Sequence, residues 1–224
     1  MNHPASAAFS IRNCSHKSFN VFPDLVYVDA NPIMDVILNR TYKNTNLLYW
    51  ERLIENGGMI TWSPHTVEEI VHVLHVNQYV NYAKNNNILA TSCAPAWKHA
   101  ENTVDDITSR SISEAVLRQK NGVISALGTY GLPLTNLDGT KIDDLSEHIY
   151  LTYGGTIKDA KHVACAYLAD TNSIMTHDSG MLRYPGLNVL GASKLIVQES
   201  NSASGLINFT DFSPFLNTCS GQGA

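Results

Sequence analysis

Cysteine is scarce in this chain: Cys14, Cys93, Cys165 and Cys219 are the four in 224 residues, and no two form a C-x-x-C pair. That excludes a disulfide scaffold and suits a reducing cytosol. Basic charge is also short, with 15 Lys and Arg against 20 Asp and Glu, a net charge of −5. Broad electrostatic attraction to nucleic acid needs a basic stripe, so any contact with a polyanion has to be local. No apolar run approaches the roughly 18 residues of a membrane span, and the first twenty or so residues lack the apolar core of a secretion signal. What remains is a globular balance of 44% apolar and 16% charged residues, enough for one α/β domain with its own core.

Strand and helix signals alternate along the chain. Leu25-Val26-Tyr27-Val28 is a short run rich in β-formers that ends at Asp29, and Asn31-Pro32 then offers a capping side chain and a proline suited to a first helical turn. Met59-Ile60-Thr61-Trp62 repeats the pattern, running into Ser63-Pro64 and a helix that carries Val67, Ile70, Val71 and Leu74. From about 84 to 156 the signal is less regular, with one helix expected through Val104, Ile112 and Val116 up to Asn121-Gly122, and a shorter one around Leu145 to Tyr150. Gly154-Gly155-Thr156 opens the most regular helix, with Ala160, Val163, Ala164, Tyr167 and Leu168 on one face. Ser173 to Thr176 and Leu187 to Leu190 read as two further strands.

Alternation of this kind implies a mostly parallel sheet with helices on both faces, a three-layer α/β/α arrangement. In such sheets ligands bind at the carboxyl edge of the strands, where the return helices also begin. Four acids map to that edge: Asp29 ends the first strand, Glu69 lies in the first turns of a helix, Asp159 lies in the first turn of the most regular helix, and Asp178 follows a strand. Crowded carboxylates stay ionised only around a cation, and Mg²⁺ or Mn²⁺ suits oxygen ligands that must also admit phosphate.

Each acid has a plainer structural reading. Asp159 stands three residues past Thr156, and Glu69 three past Thr66, the spacing of a capping box. Asn31 could serve only as a cap, and Asp178 only turn the chain. Asp29 resists such a reading, because an acid closing a buried apolar strand is costly unless paired or metal-bound. Glu68 shares a helix face with His72 and His75, which would suit zinc, but the H-E-x-x-H arrangement is missing. His162 and His177 flank the acids and fit the role of satisfied polar residues.

The runs Val26-Tyr27-Val28-Asp29-Ala30-Asn31, Thr66-Val67-Glu68-Glu69-Ile70, Asp159-Ala160-Lys161-His162-Val163-Ala164 and Thr176-His177-Asp178 stand in the order of those in the PIN-domain nucleases, and the spacing from Asp159 to Asp178 is similar. Over about residues 24 to 190 the chain resembles that family. The resemblance implies a four- or five-stranded parallel sheet and Mg²⁺- or Mn²⁺-dependent hydrolysis of phosphodiester bonds, usually in RNA. By motif, Asp29, Glu69, Asp159 and Asp178 would hold the metal, with Asn31 and Thr176 orienting them. Glu69 is preferred to Glu68 because the family's acid precedes an aliphatic residue, here Ile70.

Two departures stand out against the family. The stretch from Glu69 to Asp159 is longer than usual, implying a helical insertion at about 84 to 156 within a domain of residues 24–197. Residues 1–23 read as an N-terminal extension and 198–224 as a polar tail. Ser179-Gly180 stands where many relatives carry a further acid or amide, so one ion is expected rather than two. The resemblance leaves open a stand-alone cytoplasmic endoribonuclease acting on single-stranded RNA, a toxin controlled by an antitoxin partner, and a catalytically weak PIN-like assembly module. A second copy of the chain is a further candidate partner. A small-molecule phosphatase of the haloacid-dehalogenase type would need an aspartate where Asn31 stands.

Overall fold

The structure is a computed structural model, and it describes residues 6–202. Among the described residues six strands form one sheet in the order β1-β6-β5-β2-β3-β4, with every neighbouring pair parallel. They are β1 (Ala7–Ser10), β2 (Leu25–Val28), β3 (Met59–Trp62), β4 (Gly131–Pro133), β5 (Ser173–Met175) and β6 (Asn188–Gly191). The helices are α1 (Ala30–Ile37), α2 (Lys43–Glu55), α3 (Pro64–Asn85), α4 (Ala96–Thr103), α5 (Asp106–Leu127), α6 (Gly139–Tyr153), α7 (Ile157–Leu168) and α8 (Lys194–Ser202). This is the three-layer α/β/α class that the alternation implies, with six strands in place of four or five.

The two additional strands lie at the sheet's edges. Ala7–Ser10, part of the stretch read as an extension, pairs with β6. β4 is only Gly131-Leu132-Pro133 and pairs with β3, a position where proline's missing N–H is tolerated because among the described residues one side of the strand has no neighbour. Gly131 permits the approach, since a Cβ there would stand 1.7 Å from the Ile60 carbonyl oxygen.

The described residues divide into two compact units, residues 6–66 with 130–202, and residues 67–129. The first holds the sheet. Its core joins Tyr27 of β2, Leu145 and Ile149 of α6, Ala160, Val163 and Ala164 of α7, Ile174 of β5 and Val189 of β6. The second is helical around Tyr79, Ala83, Ala100 and Ile112, with Trp97 packed against them. It begins earlier and ends sooner than the insertion expected from sequence, because α3 continues unbroken to Asn85 and because β4 and α6 belong to the sheet unit. Helix α5 also runs past Asn121-Gly122. A mid-helix glycine costs about 1 kcal/mol relative to alanine, and the buried stripe Val116, Val123, Leu127 outweighs it.

Strand order reverses at the β2–β5 pair: from β2 the chain proceeds outward through β3 to β4, and β5 then returns to β2's other side. In a parallel sheet that reversal opens a crevice at the carboxyl ends of the two strands. Asp29 directly follows β2 and Thr176 directly follows β5. No helix among the described residues is long and apolar enough to cross a membrane.

Candidate active site

Asp29 sits at the crevice, 4% exposed, and is the N-cap of α1; the helix starts at Ala30, one residue ahead of the expected cap Asn31. Its Oδ1 accepts the Ala30 N–H at 2.6 Å. Oδ2 accepts from the Thr176 hydroxyl at 2.7 Å and from Asn31 Nδ2 at 3.4 Å. Donors to an ionised carboxylate are what make burial of that charge tolerable. Asn31 and Thr176, singled out from sequence as orienting residues, both touch the group they were expected to orient.

Thr176 also ties Asp29 to Asp178. Its hydroxyl oxygen accepts the Asp178 N–H at 3.0 Å, so one buried side chain fixes a carboxylate on one strand end and the backbone on the other. Asp178, exposed, turns the chain by accepting the Gly180 N–H at 2.7 Å. Asp159, in the first turn of α7, has its own N–H held by Thr156, the helix's N-cap, at 3.1 Å. The plain capping and turning roles are therefore real for both residues, and their carboxylates still converge. A Cβ placed on Gly180 would lie 3.0 Å from Asp178 Oδ1 and 3.6 Å from Asp159 Oδ2. The two acids thus face the one position in the turn that carries no side chain.

Tyr184 reports the same concentration of charge. Burial pushes its hydroxyl pKa up to about 12, assisted by the negative charges of Asp159 and Asp178 and opposed by Arg183. Arg183 is exposed and steadied by its Nε–H, which donates to the Gly180 carbonyl at 3.0 Å. It places positive charge at the rim of the acids.

On Asp29's Oδ1 side stands a second group. His162 of α7 is buried, with Nε2 3.3 Å from Asp29 Oδ1 and Nδ1 2.9 Å from the Tyr27 hydroxyl. Tyr27, fully buried, is held in turn by Ser63 at 2.7 Å and Thr66 at 3.0 Å; burial, with the Asp29 charge as a lesser cause, keeps its hydroxyl pKa far above the ordinary tyrosine value. His65, in the first turn of α3, packs its ring on His162 with centroids 4.6 Å apart. Glu69 follows His65 by one turn of the same helix, hence on the same face. Its neighbour Glu68 is exposed, and His75, which could have joined Glu68 in a zinc site, instead bonds Glu101 at 2.8 Å.

His65, His162 and Tyr27 were not among the residues chosen from sequence. One signal was available: His65 and Glu69 are four apart on a helix that begins at the sheet edge. His177, by contrast, faces away from the acids. Its Nδ1 accepts the Ala192 N–H at 3.2 Å and its Nε2 lies 3.2 Å from Asp35 Oδ2. Burial lowers its pKa to about 4, so at neutral pH the contact is between a neutral imidazole and a buried carboxylate rather than an ion pair.

Asp159 and Asp178 thus approach one side-chain-free position, and Asp29 is linked to the Asp178 backbone through Thr176.

The chain matches no protein-family profile and no curated protein. Among solved structures it is similar to PAE2754 from Pyrobaculum aerophilum, at 16% identity over 80% of this chain and 91% of that one, with a TM-score of 0.41. A likeness that distant carries nothing over to the site.

Proposed function

We propose that this chain is a Mg²⁺- or Mn²⁺-dependent endoribonuclease of the PIN type, with Asp29, Asp159 and Asp178 as the carboxylates that hold the ion. The observation that carries the reading is the Thr176 bridge. One buried hydroxyl bonds Asp29 at 2.7 Å and the Asp178 backbone at 3.0 Å, at the point of the sheet where strand order reverses and ligands bind. A structural role for Asp178 alone would not require a buried link to a second carboxylate.

A bound divalent ion supplies Lewis acidity toward a phosphoryl oxygen and lowers the pKa of a coordinated water toward neutrality. The chain's own residues do the rest. Asn31 and Thr176 fix which lone pairs of Asp29 remain available, as partners behind a ligand do in metal sites. Gly180 keeps the space between Asp159 and Asp178 clear. Arg183, the exposed cation beside these acids, is suited to pair with a phosphate of the substrate, a local contact of the kind an acidic protein needs. The thiols Cys14, Cys93 and Cys165 are free, which agrees with a cytosolic setting.

The test is cleavage of a 5′-labelled single-stranded RNA by the full chain with Mn²⁺, with Mg²⁺ and with EDTA, alongside Asp29→Asn and Asp178→Asn. Metal-dependent cleavage by the wild type, lost in both variants while circular dichroism is unchanged, is the expected result. Absence of metal-dependent cleavage in the wild type would leave a binding or assembly module. Equal cleavage by all three proteins would identify a contaminant.

A further inference from the structure

We infer that Arg12, Arg40 and Lys43, gathered about Tyr42, form a surface that holds the phosphates of single-stranded RNA at the carboxyl edge of the sheet. Several other cations of the chain are paired: Lys98 with Glu101, Arg118 with Glu114 and Lys161 with Asp143. Among the described residues no carboxylate forms an ion pair with Arg12, Arg40 or Lys43.

The backbone, rather than an acidic partner, sets each of the three. Exposed Arg12 stands between Ile11 and Cys14, which are buried, and the Cys14 N–H closes that turn on the Ile11 carbonyl at 3.0 Å. Exposed Arg40 is fixed by the end of α1. There Asn39 takes a left-handed conformation (φ 54°), and the Arg40 N–H donates to the Asp35 carbonyl at 2.8 Å, the closing bond of a Schellman turn. Half-buried Lys43 opens α2, whose first turn contains no acid, and its N–H donates to the Arg40 carbonyl at 3.1 Å.

Tyr42 draws these residues to one place. The Arg12 guanidinium lies over its ring, 5.1 Å from the centroid. An aromatic face attracts a cation without neutralising it, so the guanidinium keeps its charge for phosphate, whose geometry it matches. The Tyr42 ring also meets that of His177, with centroids 4.8 Å apart. Arg12 follows β1 and His177 follows β5, strands that both run parallel to β6, so the two emerge at the same edge of the sheet. His177 directly precedes Asp178, and the surface adjoins the acids across that segment.

A chain of net charge −5 has to hold a polyanion locally, and a cluster of unpaired cations meets that need. The choice of RNA over another polyanion rests on the proposed function. Arg12 belongs to the stretch read from sequence as an extension, and the surface gives that stretch a role in binding.

The test is fluorescence anisotropy of a labelled twelve-nucleotide single-stranded RNA with the full chain in EDTA, where metal-dependent cleavage is suppressed, over about 25–200 mM KCl. Each phosphate neutralised on a single strand contributes about −0.7 to the slope of log affinity against log salt, so three cations predict about −2. Arg12→Ala/Arg40→Ala should bring the slope to about −0.7 and lower affinity at least about tenfold at the low-salt end, with an unchanged urea midpoint. Tyr42→Leu, which frees Arg12, should weaken binding about two- to fivefold, and Tyr42→Phe, which keeps the ring, should restore it. Arg118→Ala, the control, should bind as the wild type does. No RNA binding by the wild type at low salt, or an unchanged slope and affinity in the double variant, would overturn the inference. Displacement of the RNA by polyglutamate at equal charge concentration would overturn the assignment to RNA in favour of an acidic polypeptide. Wild-type binding in EDTA, lost in the double variant, without cleavage on Mn²⁺ addition would support the surface and refute the nuclease. Mn²⁺-dependent cleavage by the double variant at unchanged KM would refute the surface and leave the nuclease standing.

Discussion

Thr176→Val replaces the bridging hydroxyl with a methyl of nearly the same size, so its effect isolates hydrogen bonding from packing. Thr176 is fully buried, and the change removes a bond to an ionised carboxylate at 2.7 Å together with the partner of the Asp178 N–H at 3.0 Å. A hydrogen bond to a charged group contributes about 1.5–3 kcal/mol, and a buried donor left unpaired costs a further 1–3 kcal/mol. Asp178 is exposed, so water relieves much of the second loss and the sum is about 3 kcal/mol. For a chain of this size that corresponds to a fall in Tm of roughly 6–12 °C. Losing an orienting partner should also weaken Mn²⁺ binding roughly 10–100-fold. Urea denaturation and equilibrium dialysis read the two effects, and Thr176→Ser, which keeps the hydroxyl, should recover most of both. The reasoning is refuted if Thr176→Val stays within about 0.5 kcal/mol of the wild type and binds Mn²⁺ equally well.

Gly180→Ala sets a methyl 3.0 Å from Asp178 Oδ1 and 3.6 Å from Asp159 Oδ2; Mn²⁺ affinity should fall with little change in urea midpoint, and an unchanged affinity would place the ion elsewhere. Gly131→Ala forces a Cβ to 1.7 Å from the Ile60 carbonyl oxygen, so β4 has to shift off β3. A loss of roughly 1–3 kcal/mol is expected, with faster hydrogen exchange at the Ile60 amide, which donates to Tyr130. His177, lowered from 6.5 to about 4 by burial, binds a proton more readily unfolded than folded between those values. Its contribution is therefore complete above pH 6.5 and declines as pH falls toward 4, by up to about 3 kcal/mol. Asp35, whose pKa burial raises, offsets part of this at the acid end. Comparing urea midpoints at pH 7 and pH 5, His177→Gln should show a smaller drop than the wild type, and an equal drop would assign the acid sensitivity to other groups.

Periodicity made the inner sheet legible and failed where packing overrides local signals. β2, β3, β5 and β6 are buried runs of β-formers and stood out. β1 and β4 are edge strands of weak composition, which take their conformation from the neighbour they pair with. Helix α2 was missed because its buried stripe, Asn46, Tyr49, Trp50 and Leu53, begins with a polar residue. Asn46 is buried because its Nδ2 bonds the Pro32 carbonyl at 3.1 Å, a partner fourteen residues away that no local pattern announces.

The site divides along the same line. Asp29, Asp159 and Asp178 were visible because each marks the end of a strand or the start of a helix at one sheet edge. Thr176 and Asn31 could be chosen only through the family resemblance. The histidines could not be ranked, since His162 and His177 look alike in sequence, each flanking an acid. Folding sends His162 toward Asp29 and Tyr27, and His177 toward Asp35 and Ala192.

The central claim is that carboxylates far apart in sequence share one divalent ion at the carboxyl edge of the sheet. Anomalous diffraction from a crystal grown with Mn²⁺ measures this directly. A peak bounded by Asp29, Asp159 and Asp178, lost in Asp29→Asn crystals, is the predicted result. Mn²⁺ absent from that position, or a peak there that persists in Asp29→Asn, would contradict it.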